Sequence, residues 1–217
     1  MNITELNPDD SQWERYISPR RCQKMKRYLH EKDRALSLGV ELLLNDCLGD
    51  MHPGIKRPVV WEEDENGKLH LPDHPHIHFN LSHAGDYSVC AVSDKPVGVD
   101  IEYCAGFDLK IAKNYFFGLE YEYIMEKPEA EWLDAFYELW VLKESYMKAT
   151  GLGFQLALDA FYIYMQDKIT VIQEGRIKPF NFFLAQFEEY KLAVCYSGHE
   201  HSSVELEVKS VGHMQSK

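Results

Sequence analysis

The chain has 217 residues, 45% of them apolar and 27% charged, with a formal net charge of −12. That length suits one large domain or two small fused ones with a sizeable core. The acidic balance argues against nucleic acid as the main partner, because phosphate backbones demand a broad basic face. Five dispersed cysteines (Cys22, Cys47, Cys90, Cys104, Cys195) without a C-x-x-C pair read as reduced thiols. The N-terminus lacks the basic and apolar regions of a signal peptide, and no apolar run approaches the ~20 residues that span a bilayer. The expectation is a soluble, cytoplasmic protein with no membrane role.

Ser18-Pro19 opens the first predicted helix, with a serine cap and proline at the first helical position, where its missing N–H costs nothing. This helix, over residues 19–29, is strongly basic: Arg20, Arg21, Lys24, Lys26 and Arg27, with Lys32 and Arg34 following. A second helix over 31–48 sets Leu38, Leu42 and Leu43 at core-facing spacing and stops at Gly49. Asn66-Gly67 signals a hairpin between 59–61 and 68–71. Apolar segments at 77–81, 87–92 and 97–101, separated by Gly, Asp and Pro, predict strands of an antiparallel sheet. The order then recurs: helical pieces at 108–116 and 119–125, a long helix over 128–150 stopped by Gly151, and strands at 161–165, 170–173, 182–187 and 191–196. The segments DYSVCAVS and EYKLAVCYS are alike, which predicts a duplicated helix-plus-sheet unit. A strand-like run at 204–208 precedes a polar tail.

Four stretches carry chemistry. In Val97-Gly98-Val99-Asp100-Ile101-Glu102, strand alternation sends the three apolar side chains to one face and Gly98, Asp100 and Glu102 to the other. Paired carboxylates suit a hard divalent cation, and the glycine leaves room for a ligand at the backbone. The same spacing also fits the solvated face of an edge strand. On the long helix, Trp140, Glu144 and Lys148 lie four apart and share a face, offering a carboxylate and an ammonium, or merely a surface ion pair beside an aromatic. Ser82 and His83, at a strand end in FNLSHAG, offer a hydroxyl, an imidazole and turn amides to a phosphate. As neighbours on a strand they point apart, which argues against a hydrolytic nucleophile–base pair. The basic helix offers one face to a phosphate group, or serves solubility.

In this order and with these gaps, FNLSH, VGVDIE and WVLKESYMKATGLG resemble the 4′-phosphopantetheinyl transferase superfamily, in its larger, monomeric, surfactin-synthetase-activating branch. The resemblance spans about residues 18–196. It implies an α/β (α+β) fold of two similar halves, 1–98 and 99–217, each a long helix on a small antiparallel sheet, with the site between them. It implies magnesium-dependent transfer of the 4′-phosphopantetheine arm of coenzyme A to a serine of an acyl or peptidyl carrier protein, releasing 3′,5′-ADP. Asp100, Glu102 and Glu144 match the metal ligands; Glu144 also matches the base, Lys148 the group that meets the leaving ADP, and Glu120 a further acidic site residue. Arg21, Lys24, Ser37 and His83 match positions around the 3′-phosphate, Ser82 stands beside them, and Lys68 matches a lysine near the adenine. Two departures stand out. Leu69 replaces a proline after Gly67-Lys68, and Leu36 replaces a second arginine after Asp33-Arg34, a loss that either weakens phosphate binding or is offset by Arg34 and Arg27.

The resemblance also implies a carrier surface on the second half, for which Phe116, Phe117, Leu119 and Tyr121 are candidates, although a core stripe explains Phe116 and Phe117 equally well. Two other readings compete. His74, His76 and His78 alternate ahead of His83, the residue type zinc favours, but Pro75 breaks the strand. A module that binds coenzyme A or a carrier without turnover is the second, and it leaves the carboxylate–lysine set without a purpose.

Overall fold

A computed structural model describes residues 1–198 and 204–212. After a short 3-10 helix (Ser11–Arg15), its first half has the basic helix α1 (Pro19–Met25), and Ser18 Oγ accepts the Arg21 N–H as the cap its sequence predicts. Helix α2 (Glu31–Met51) runs past Gly49, and Leu44 and Leu48 near its end pack against Val59, Trp61 and Leu71 of the chain that follows. The Asp64 side chain accepts the N–H groups of Asn66 and Lys68. It thereby closes the small hairpin of β1 (Glu62–Glu63) and β2 (Leu69–His70), shifted from the expected 59–61. Next come β3 (His78–Ala84), β4 (Tyr87–Ser93) and β5 (Val97–Tyr103).

The second half continues with α3 (Leu109–Tyr115), α4 (Gly118–Met125) and the long α5 (Trp132–Thr150), which Gly151 ends with a φ of 72° in the left-handed region. A small sheet follows, of β6 (Phe161–Tyr164), β7 (Thr170–Gln173) and β8 (Arg176–Ile177), then β9 (Phe180–Phe187) and β10 (Tyr190–Ser197). Residues 204–210 form no strand, which corrects the expectation for 204–208. Lys209 is instead buried against Asp46 and Asp50 at the end of α2.

The α+β class and the paired halves are present. Hairpin β3–β4 carries α2, and hairpin β9–β10 carries α5. The pairing of β5 is the main departure. Rather than extending the first sheet, it pairs antiparallel with β10, Asp100 opposite Ala193, in the order β5-β10-β9. Strand β5 thus runs across the expected boundary between 98 and 99. On one face of β5, Val97, Val99 and Ile101 join Leu192 and Val194 in a core that also takes in Tyr87 and Val89 of the first half. Among the described residues, no helix is long and apolar enough to cross a membrane.

Candidate active site

The other face of β5 lies against α5. A Cβ at Gly98 would stand 2.1 Å from the Ser145 carbonyl oxygen and 2.4 Å from the Ala149 nitrogen. Gly98 thus admits a helix backbone rather than a ligand, correcting the reading of it as an open approach. That close contact brings the two motifs together, since residues four apart on α5 meet alternate residues on β5. Trp140 Nε1 donates to Glu102 Oε1 at 3.2 Å, and Lys148 Nζ donates to Asp100 Oδ1 at 2.6 Å and to Ser82 Oγ at 3.1 Å. Ser82 Oγ in turn donates to Asp100 Oδ1 at 3.0 Å.

A cleft of about 540 Å³ opens between the halves over these groups. Arg21, Lys24, Ser37, Ser82 and His83 line it from the first half, and Asp100, Glu102, Trp140, Glu144 and Lys148 from the second. Burial pushes the Asp100 carboxyl up from its ordinary value despite Lys148 and Ser82 beside it. Burial and then the Asp100 charge raise Glu102 to about 7, and the same two causes raise Glu144. Burial lowers His83, assisted by Lys148.

Three carboxylates sharing a half-dry cleft hold more negative charge than their neighbours neutralise, and an oxygen-only donor set of this kind suits a hard divalent cation. Asp100 Oδ2 is buried without a hydrogen-bond partner among the described residues, the observation that best fits a metal there. Among the described residues, however, no three His, Cys, Asp or Glu side chains stand grouped so that they could hold a metal ion, Asp100, Glu102 and Glu144 included. His83 lines the cleft, whereas His74, His76 and His78 do not.

The remaining expected site residues divide. Glu120 stands apart from the cleft: it is buried, paired with Lys143 at 2.7 Å, and accepts the N–H groups of Phe117 and Ile163. It ties α4 to α5 and β6, so the structure does not bring it together with Glu144 and Lys148 in the cleft. Lys68 Nζ donates to the carbonyls of Val97 and Lys148 and joins the hairpin to both β5 and α5. Burial lowers it to about 8. Leu36 lies in the first-half core, Leu69 lines the cleft, and Arg34 is paired with Asp9. Neither Arg34 nor Arg27 is among the residues that line the cleft. Phe116 is buried and stacked on Phe136, Phe117 stacks on Tyr162, and Leu119 is exposed. Sequence reading missed Glu41 and Trp61, the buried partners of Arg21. A glutamate inside the apolar run 35–44 was the available signal, since a carboxylate buried in such a run needs donors.

Comparison with known proteins shows the family. The family model "4'-phosphopantetheinyl transferase superfamily" matches residues 96–195, and "4'-phosphopantetheinyl transferase, N-terminal" matches residues 4–95. The two models meet just ahead of β5. The 4'-phosphopantetheinyl transferase Sfp of Bacillus subtilis (strain 168) is 33% identical over 183 residues, covering 83% of this chain and 82% of the relative. The 4'-phosphopantetheinyl transferase gsp of Aneurinibacillus migulanus is 34% identical over 181 residues, covering 82% and 76%. A solved holo-(acyl-carrier-protein) synthase from Bacillus anthracis str. Ames, in complex with CoA, covers 48% of this chain and 96% of its own, at 16% identity and a TM-score of 0.38, too slight a likeness to bear on the site. With both family models matched and such relatives aligned over most of their length, the chain belongs to the 4′-phosphopantetheinyl transferase superfamily, in its Sfp-type branch.

Proposed function

We propose that the chain, as a cytoplasmic monomer, moves the 4′-phosphopantetheine group of coenzyme A onto a serine of an apo carrier protein, releasing 3′,5′-ADP. The observation that carries this reading is the meeting of Asp100, Glu102, Glu144 and Lys148 in one cleft between the halves. Asp100, Glu102 and Glu144 are the residues that would hold magnesium, which when bound neutralises pyrophosphate charge as the phosphoanhydride breaks. Glu144, raised above an ordinary carboxylate by burial and by Asp100, is suited to take the proton of the carrier serine. Lys148, held by Asp100 and Ser82, directs its ammonium toward charge that builds on the departing 3′,5′-ADP. Arg21, Lys24, Ser37 and His83 receive the 3′-phosphate end. The carrier is an acidic protein whose approach relies on apolar contact at Leu119 and on the basic α1, since this chain is itself acidic overall.

Replacing Glu144 by Gln tests the assignment. Transfer falls by about 100-fold or more, while coenzyme A binding, followed by calorimetry, persists. Turnover within a fewfold of the parent removes Glu144 from the mechanism. Coenzyme A binding by the parent chain without transfer to any carrier favours the non-catalytic module instead.

A further inference from the structure

Glu41 lies in the middle of α2 with no exposed surface, and none of the chemistry above uses it. Its Oε1 accepts the N–H of Ser18, the cap of α1. Its Oε2 accepts Arg21 Nε at 2.6 Å and Trp61 Nε1 at 3.1 Å. A buried carboxylate is tolerated only when its oxygens are satisfied, and three donors from two separate segments, α1 with its cap and the chain at Trp61, converge on this one. Arg21 is thereby gripped from several sides. Glu41 holds Nε, Ser37 Oγ holds Nη1 at 3.1 Å, and the Trp61 ring lies 5.2 Å from the guanidinium carbon. Nη2 has no acceptor among the described residues, and Arg21 lines the cleft.

We propose that Glu41 is a positioning residue of the transferase: acting through Arg21, it fixes the guanidinium so that Nη2 meets the 3′-phosphate of coenzyme A. The proposal rests on the coenzyme A reading of the cleft. Glu41 offsets the Arg21 charge, so what Arg21 contributes is direction, while Lys24 supplies the net attraction. A guanidinium locked before binding loses less side-chain freedom when the ligand arrives, and its rigid fork matches phosphate oxygens.

Steady-state kinetics with coenzyme A and with 3′-dephospho-coenzyme A separate this role from a structural one. For Glu41→Gln the KM for coenzyme A rises about tenfold, with kcat little changed and the KM for 3′-dephospho-coenzyme A unmoved. Added to Arg21→Ala, the same substitution leaves the ratio of the two KM values where Arg21→Ala put it. Equal losses on both substrates, or no loss on coenzyme A in a folded variant, overturn the proposal. If Glu41→Gln fails to fold, Trp61→Phe carries the test. It removes one donor to Glu41 and keeps a ring beneath Arg21, so a rise of about threefold on coenzyme A alone is expected, and any unselective result overturns the role. A parent enzyme that treats the two substrates alike refutes the phosphate reading of the cleft and the proposal with it. A parent that discriminates and a Glu41→Gln variant that discriminates equally refute the part of Glu41 alone.

Discussion

Asp100 has one oxygen held by Ser82 and Lys148 and the other buried without a donor among the described residues, and its charge acts on Glu102 and Glu144. Such a cluster costs stability for the sake of a ligand, and the cost has a pH signature. Glu102 titrates near 7 in the folded chain against an ordinary 4.5, so between those values the folded state binds more protons than the unfolded one. Stability contributed by this group is therefore full at low pH and falls as pH rises from 4.5 to about 7. In metal-free protein, the thermal midpoint of Glu102→Gln should rise relative to the parent across that window. A difference that stays flat with pH contradicts the burial argument. At this scale much of the site was legible, because Asp100, Glu102, Glu144 and Lys148 fall at spacings with a geometric meaning. Glu41 was not, because nothing local to α2 says which segment supplies its donors. The buried pairing of Glu120 was not legible for the same reason, since its partner Lys143 lies 23 positions away.

At the scale of elements, one contact places the metal-ligand candidates of the strand beside those of the helix. Helix α5 rests its backbone on β5 at Gly98, and the alternation of the strand then presents Asp100 and Glu102 to Glu144, Lys148 and Trp140. Gly98→Ala would force a methyl group to within 2.1 Å of the Ser145 carbonyl oxygen, which nothing nearby can accommodate without moving α5. The expected outcome is a loss of about 3 kcal/mol or more in denaturant unfolding, with transfer activity falling further than stability alone explains. A substitution tolerated within about 0.5 kcal/mol would mean that the helix can retreat at no cost. Most elements were legible from caps, turn residues and periodicity, and Ser18 and Gly151 act as their sequence predicts. The partner of β5 was not. Its pairing with β10 joins residues some 90 positions apart in sequence, and local patterning carries no information on so distant a neighbour.

At the scale of the molecule, the halves are bound together by more than chain continuity. Strand β5 enters the second sheet while packing its apolar face on first-half residues, Lys68 reaches across to β5 and α5, and Lys209 returns the C-terminal segment to α2. A cleft lined from both sides by residues of a single chain needs no second copy to complete it. The similarity of DYSVCAVS to EYKLAVCYS made the paired architecture readable in advance, since β4 and β10 each lie beneath a long helix. The account as a whole claims that this cleft transfers rather than merely holds. Its most direct test is the intact mass of an apo carrier protein after incubation with the chain, coenzyme A and magnesium. The predicted result is a gain of one phosphopantetheine group on the carrier, abolished by a chelator. No gain on fatty-acid, polyketide or peptide-synthesis carriers, while coenzyme A still binds, would contradict the account.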